Sequence, residues 1–119
     1  MEEMNLRNYA YLGDAVWELF IREQTVRQTD NAKKLHAITT DKVKAAYQAE
    51  MLHFMEEHLT EEEKELARRG RNLPIPVGRR QMQTEYRQAT AFEVLIGYWH
   101  EHDKERLCEI VKFLPLKWQ

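Results

Sequence analysis

Residues 6–23 read LRNYAYLGDAVWELFIRE, and this stretch decides the fold. Its apolar and small residues recur at steps of three and four, which is the period of a helix with one buried face. They are Leu6, Ala10, Gly13, Val16, Trp17 and Phe20. We therefore predict a first helix from Leu6 to about Glu23. Asp14 lies in the middle of that helix, between apolar neighbours.

The same period predicts further helices along the chain and no strand. Asp30 is placed to cap a short second helix that ends at His36, and Thr40 is placed to cap a third. The inner face predicted for the third helix is Val43, Ala46, Tyr47, Met51, Phe54 and Met55. Its predicted outer face is Lys42, Lys44, Glu50 and Glu57.

A fourth helix carries its own start and stop signals. Thr60 and Glu63 fit a capping box at its beginning, and Gly70 fits a left-handed residue at its end. Two prolines and one glycine then predict an irregular loop over residues 71–83; they are Pro74, Pro76 and Gly78.

Two more helices complete the expected all-α fold. The fifth should run from about Thr84 to His100 and bury Ala89, Phe92, Ile96 and Trp99. The sixth should run from Asp103 to about Leu114. Since 119 residues suit one domain and no composition shift or repeat interrupts them, we expect a single compact domain over residues 1–119.

Several function classes are disfavoured by residue content. The chain has one cysteine, Cys108, so it cannot form an intrachain disulfide framework, and it has no serine. Its five histidines form no HxxxH or HExxH pair, which makes a zinc enzyme improbable. No apolar run approaches the roughly 18 residues of a membrane span, and the N-terminus does not resemble a signal peptide. We expect a cytoplasmic protein.

Positive charge is concentrated in one stretch. Residues 68–87 contain six arginines and one glutamate, a net +5, in a chain whose formal net charge is −2. The arginines are Arg68, Arg69, Arg71, Arg79, Arg80 and Arg87. Such asymmetry favours a local anionic partner, and a solvated basic loop is the alternative.

Two carboxylates stand where an apolar residue is expected. Asp14 and Glu93 each lie at the centre of an apolar helical stretch, where an ionised group would lose hydration. Both could share one Mg²⁺, which takes oxygen ligands and is often held by one or two carboxylates. The alternative is that each pairs with an arginine. Glu18 either supports this pair or forms an ion pair with Arg22.

The acidic motifs resemble those of the ribonuclease III family. The signature helix of that family reads approximately Glu-x-x-Glu-Phe-Leu-Gly-Asp-Ala-x-x-Glu, and residues 12–15 here read LGDA with Glu18 at the final position. The later acidic motif resembles residues 91–97, AFEVLIG, with Glu93 at the metal-binding glutamate. On this resemblance Asp14 and Glu93 are the expected catalytic metal ligands.

Departures from the signature indicate the Mini-ribonuclease III subfamily. Arg7 and Ala10 replace the two earlier glutamates, and Thr90 replaces an aspartate, so we expect a site with fewer acids and more water ligands. The subfamily is also similar at residues 10–15, 36–40, 68–72 and 86–93. The resemblance covers about residues 5–114.

The resemblance implies an Mg²⁺-dependent endoribonuclease that cuts double-stranded RNA without a separate RNA-binding domain, leaving 5′-phosphate and 3′-hydroxyl ends. It further implies a homodimer with Tyr11 at the dimer contact, Glu18 and Thr90 as supporting residues, and RNA bound by the arginines of residues 68–87. The implied substrate is the stem of the 23S ribosomal RNA precursor, and participation of a large-subunit ribosomal protein stays open.

Two other functions remain compatible with the sequence. The missing acids at Ala10 and Thr90 allow a non-catalytic relative that binds RNA or the ribosome. A helical metal-dependent phosphohydrolase could use the same acids on a small nucleotide, although no ExxE or HD pair is placed for it.

Overall fold

The computed structural model describes residues 3–75 and 83–116, and within them it is all-α, as expected. A 3₁₀ turn, Glu56–His58, joins the third and fourth helices. The helices are α1 Leu6–Thr25, α2 Ala32–Val43, α3 Ala45–Met55, α4 Glu61–Arg71, α5 Gln83–His102 and α6 Lys104–Val111. None of the helices described is long and apolar enough to cross a membrane.

Helix α5 is the centre of the bundle, because α1, α3, α4 and α6 all pack on it. It is apolar around most of its circumference, which is the pattern of a helix buried on all sides. The four residues predicted to lie inside it are all buried: Ala89, Phe92, Ile96 and Trp99. The predicted fifth helix is therefore confirmed.

Trp17 joins three helices. The indole is 1% exposed, packs edge-on against Phe92 with ring centroids 4.9 Å apart, and donates a 2.8 Å hydrogen bond to the carbonyl of Lys42. It thereby fixes α1 against α5 and the end of α2. Truncating a buried aromatic ring of this kind costs about 3 to 5 kcal/mol.

The boundary between the second and third helices was predicted wrongly. Helix α2 is capped by Asn31, whose side chain accepts from the Lys34 amide at 3.1 Å, and it continues past His36 to Val43. No glycine or proline interrupts those residues. Thr40 does not cap a helix; it lies inside α2 and its hydroxyl contacts the His36 ring at 3.4 Å.

This shift changes which residues of α3 are buried. Ala46 and Phe54 were expected inside but are exposed, and Lys42 was expected outside but is only 6% exposed. The ammonium of Lys42 lies 5.3 Å from the centroid of the Tyr47 ring, a cation–π contact that helps to offset its burial. The buried residues of α3 are Gln48, Ala49, Met51, Leu52 and Met55.

Helix α4 begins as predicted and ends differently. Thr60 and Glu63 form the capping box, with hydrogen bonds of 2.8 and 3.1 Å. Gly70 is not a left-handed terminal residue, because the helix continues to Arg71 and no described glycine has a positive φ. It is instead a packing residue, since a Cβ there would lie 3.2 Å from the Cα of Ala91.

Gly13 and Gly97 let the backbones of α1 and α5 touch. A Cβ at Gly13 would lie 1.9 Å from the Glu93 carbonyl oxygen, and a Cβ at Gly97 would lie 1.9 Å from the Tyr9 carbonyl oxygen. No side chain larger than hydrogen fits at either position without displacing a helix. This crossing sets the spacing between Asp14 and Glu93.

Candidate active site

A cleft of about 310 Å³ opens between α1 and α5 beside the glycine crossing. Both predicted metal ligands, Asp14 and Glu93, line it. The full lining is Arg7, Ala10, Tyr11 and Asp14 from α1 and Tyr86, Thr90 and Glu93 from α5. The fold therefore brings together the two acidic motifs.

The two acids are buried to different extents. Glu93 is half-buried, whereas Asp14 is exposed, so the expectation that both lie inside the helical core is wrong for Asp14. Helix α1 buries the stripe of Tyr9, Gly13 and Trp17, and Asp14 lies one position beyond that stripe. Consecutive helical residues point about 100° apart. The side chain of Asp14 therefore faces solvent although its neighbours in the sequence are apolar.

Glu93 and Asp14 interact directly. Burial, together with the hydrogen-bonded and negatively charged Asp14 side chain, raises the pKa of Glu93 to about 8. At neutral pH the two carboxyl groups therefore do not both carry a charge in the metal-free chain. Neither acid is in an ion pair with an arginine among the residues that the structure describes, which removes support for the alternative of two arginine pairs.

Gln48 was not recognised as a site residue from the sequence. Its amide reaches Glu93 from α3 and opposes the rise in the Glu93 pKa, although its Nε2 has no hydrogen-bond partner among the described residues. The available signal was its position: Gln48 lies one turn before Met51 and two turns before Met55, on a buried apolar stripe.

The positions that lack the family's usual acids also line the cleft. Ala10 adds no oxygen, and the Thr90 hydroxyl donates to the carbonyl of Tyr86 at 3.0 Å within α5. Thr90 retains an acceptor lone pair on the same oxygen. Asp14 and Glu93 are thus the carboxylates of the cleft.

Glu18 lies outside the cleft lining. Its carboxylate accepts from Arg22 one turn later, at 2.7 and 2.9 Å, and both side chains are exposed. This is the second of the two interpretations offered for Glu18. A surface pair of this type contributes only about 0.3 to 0.5 kcal/mol, so Glu18 could release Arg22 at little cost.

Among the predicted RNA-binding arginines that the structure describes, two are exposed and two, Arg71 and Arg87, are half-buried. Arg68 and Arg69 are exposed on α4, where they pair with Glu65 at 2.6 Å and Glu3 at 3.1 Å. Arg87 is half-buried. Arg79 and Arg80 lie outside the described residues.

Arginines also hold the start of the predicted loop. The Arg87 guanidinium donates to the carbonyls of Arg71 at 2.9 Å and Leu73 at 3.3 Å, and Arg7 donates to the carbonyl of Pro74 at 2.6 Å. Residues 71–74 are therefore fastened to α5 and to α1. Arg71 itself is half-buried.

Tyr11 stands at the rim of the cleft and is 85% exposed, the most exposed large apolar side chain described. Ala15 and Leu19 follow at intervals of four residues and are also exposed, Leu19 by 58%. Together they form an apolar stripe along the outer face of α1.

The donor set of the cleft fits a hard divalent cation. Two carboxylates lie side by side, and their mutual repulsion and the burial of Glu93 disfavour full ionisation unless positive charge enters. No group of three or more histidine, cysteine or acidic side chains suited to a metal occurs in the described part of the chain. Mg²⁺ does not need one, since it keeps several waters and uses one or two carboxylates together with substrate phosphate.

Comparison with known proteins gives a consistent result. A model of the ribonuclease III domain matches residues 7–104, which include both acids. A Mini-ribonuclease 3 from Gloeobacter violaceus is 42% identical over 107 residues, covering 90% of this chain and 79% of that protein. A Mini-ribonuclease 3 from Clostridium tetani is 36% identical over 118 residues, covering 96% of this chain and 78% of that protein.

A solved structure has the same fold. An X-ray crystal structure of a protein from Fusobacterium nucleatum superposes with a TM-score of 0.80 at 30% sequence identity, covering 93% of this chain and 92% of the other.

Proposed function

This chain belongs to the ribonuclease III family, and from that premise we propose that it is an Mg²⁺-dependent endoribonuclease that cuts double-stranded RNA. The observation that supports this most directly is the pairing of Asp14 with Glu93 in an open cleft, at the positions that match the family's metal ligands. The names of the relatives in Gloeobacter and Clostridium agree with a ribonuclease.

In the proposed reaction, Asp14 and Glu93 hold the cation directly or through water. Bound there, Mg²⁺ would make a water more acidic and stabilise charge on the phosphodiester. Glu93 must release its proton for both carboxylates to serve as ligands. A water oxygen bonds to phosphorus, the bond from phosphorus to O3′ breaks, and O3′ takes a proton, which leaves 5′-phosphate and 3′-hydroxyl ends.

The same domain, residues 1–119, would bind the duplex itself. Double-stranded RNA is recognised mainly through phosphates and 2′-hydroxyls. Exposed Arg68 and Arg69 on α4, with Arg71, Arg79 and Arg80, are the proposed phosphate contacts. Arg87 holds residues 71–73 in place and would act on RNA binding through them.

We propose that the active form is a homodimer. A two-fold pair of sites is the simplest way to cut both strands of a duplex. The apolar stripe of Tyr11, Ala15 and Leu19 borders the cleft and is the proposed contact, since a self-complementary face beside each site would bring the two clefts to one duplex.

The finer assignment rests on the subfamily resemblance. We propose the paired stem of the 23S ribosomal RNA precursor as the substrate, with a large-subunit ribosomal protein as a candidate partner on that RNA. A cytoplasmic location is proposed with it, since the exposed free thiol of Cys108 suits a reducing compartment.

A gel assay of a long RNA duplex tests the central proposal. Wild type should cut it in Mg²⁺ and not in chelator, while Asp14→Asn and Glu93→Gln should lose cutting by at least a hundredfold and still bind. Glu23→Gln and Glu101→Gln are matched controls, exposed acids of α1 and α5 outside the cleft, and should cut normally. Single-stranded RNA is the substrate control.

The same assay tests the alternative that the chain binds RNA without cutting it. The cleft presents alanine and threonine where the family's usual pattern has acids, which is the observation that favours a non-catalytic RNA-binding relative. A duplex that wild type binds equally well with and without chelator, and never cuts across Mg²⁺ concentrations, would establish that alternative.

A further inference from the structure

Gln48 is a polar side chain placed where the bundle is otherwise apolar. It is 2% exposed and lies on α3, which packs against α5. On the same face of α3, Met51 and Met55 are fully buried. A methionine of similar length would fill this position without burying an amide, so the amide calls for an explanation beyond packing.

The Glu93 side chain is an acceptor that the Gln48 amide reaches from α3. The Gln48 Nε2 is nevertheless without a hydrogen-bond partner among the described residues. A buried unsatisfied donor costs about 1 to 3 kcal/mol. The chain therefore carries a free-energy cost at Gln48 that a hydrogen bond from Nε2 to the Glu93 carboxylate would remove.

We propose that Gln48 is a positioning residue that holds the Glu93 carboxylate in the orientation that binds the divalent cation. This inference rests on the proposed function, because it assumes a cation between Asp14 and Glu93. The amide contributes two N–H donors and is neutral, so it attracts the cation less than a third carboxylate would. Gln48 is not itself a ligand.

Gln48 lies on α3, whereas the two acids lie on α1 and α5. Asp14 and Glu93 are fixed by the contact between α1 and α5, whose backbones touch at Gly13 and Gly97. That contact sets the positions of the two Cα atoms but does not by itself fix the orientation of the Glu93 carboxylate. A donor on α3 approaches the carboxylate from inside the bundle, away from the cleft mouth where RNA would enter.

Gln48→Met separates positioning from packing. We expect this variant to melt at the same temperature as wild type or higher in chelator, because it removes an unsatisfied donor and keeps the volume. Its apparent Kd for Mg²⁺, read from the rise in melting temperature during a MgCl₂ titration at constant ionic strength, should increase 10- to 100-fold, as for other partners that orient metal ligands.

Cleavage supplies the second readout. The Mg²⁺ concentration at half-maximal cutting should increase by the same factor, while the rate at saturating Mg²⁺ stays within a few fold of wild type. Gln24→Met on the exposed side of α1 should behave as wild type in both measurements. Glu93→Gln should show no Mg²⁺-dependent rise in melting temperature.

Three results would overturn the inference. If Gln48→Met has the same Mg²⁺ midpoint as wild type, the amide is not needed for metal binding. If Gln48→Met and Gln48→Leu both fail to fold in chelator, Gln48 is a structural core residue. If wild type itself shows no rise in melting temperature with Mg²⁺, the metal site of the proposed function fails as well, so the failures are told apart by the wild-type titration.

Discussion

The carbonyl oxygen of Glu93 lies so close to Gly13 that a Cβ added at position 13 would be only 1.9 Å from it. The crossing of α1 and α5 is therefore a backbone contact. Asp14 follows Gly13, and Glu93 itself supplies the carbonyl, so the same contact that packs the bundle also sets the spacing of the two candidate ligands.

Gly13→Ala should consequently damage stability and activity together. The added methyl group must push α1 from α5, and we expect a loss of about 2 to 4 kcal/mol in the free energy of unfolding, measured by urea denaturation. Gly70→Ala is the control, because its Cβ would lie 3.2 Å from its nearest neighbours, and it should lose less. Equal losses for the two variants would contradict this account of the crossing.

Glu93 should make the metal-free chain less stable as pH rises. Burial and Asp14 raise its pKa from 4.5 to about 8, so between these values the folded chain holds a proton that the unfolded chain has released. The folded state therefore binds more protons, and the stability present below pH 4.5 is lost progressively until about pH 8. Since one pKa unit corresponds to about 1.4 kcal/mol, a shift from 4.5 to about 8 sets an upper limit of about 5 kcal/mol on this loss.

Glu93→Gln tests that dependence. Urea denaturation in chelator at pH 5, 6.5 and 8 should show a nearly level stability for this variant and a higher stability than wild type at pH 8. Glu101→Gln, an exposed residue of α5, should follow the wild-type slope. Parallel slopes for wild type and Glu93→Gln would mean that the pKa of Glu93 is not raised.

Arg68 and Arg69 should determine part of the salt dependence of duplex binding. Each residue that neutralises a phosphate reduces the slope of log affinity against log salt by about one when it is removed. We expect Arg68→Ala and Arg69→Ala to weaken binding and to flatten this slope, measured by fluorescence anisotropy over a range of KCl concentrations. Arg27→Ala, an exposed arginine beyond α1, should leave the slope unchanged; an unchanged slope for Arg68 and Arg69 would place them off the interface.

Leu19 should determine the association of two chains. It is exposed on the outer face of α1 and does not line the cleft. In a two-fold contact Leu19 of both chains would lie in the interface, so one substitution changes the contact at two places. Leu19→Glu should weaken the dimer about a hundredfold or more, measured by sedimentation velocity at several concentrations. Phe54→Glu on α3 is a matched change at another exposed apolar residue, and if it dissociated the dimer equally the contact would not be on α1.

The helical fold could be predicted because α1 and α5 have strong periodic patterns and α4 has a full capping box. The α2–α3 boundary could not, because the chain there lacks glycine and proline and Thr40 is chemically a good cap that the structure uses inside a helix. Local propensity does not determine which of several acceptable caps is used.

The candidate site was predicted in part for a similar reason. Asp14 and Glu93 stand out in apolar helices, but their relative depth depends on which face each helix buries, and Asp14 proved to lie at the edge of the α1 stripe. Gln48 could not be assigned to Glu93 from the sequence, because that pairing exists only once α3 packs on α5. Its polar character on a buried stripe was the sole local sign.

The hydrogen bonds from Arg7 and Arg87 to the carbonyls of residues 71–74 have one more consequence. They fasten the chain just before the two remaining loop arginines to the same two helices that carry the carboxylates. Pro74 is therefore held at a fixed place relative to the helices that carry Asp14 and Glu93, at the point in the sequence from which the chain continues to Arg79 and Arg80. If this segment binds RNA as proposed, substituting Arg7 or Arg87 would loosen its anchoring and weaken binding while both carboxylates stay in place.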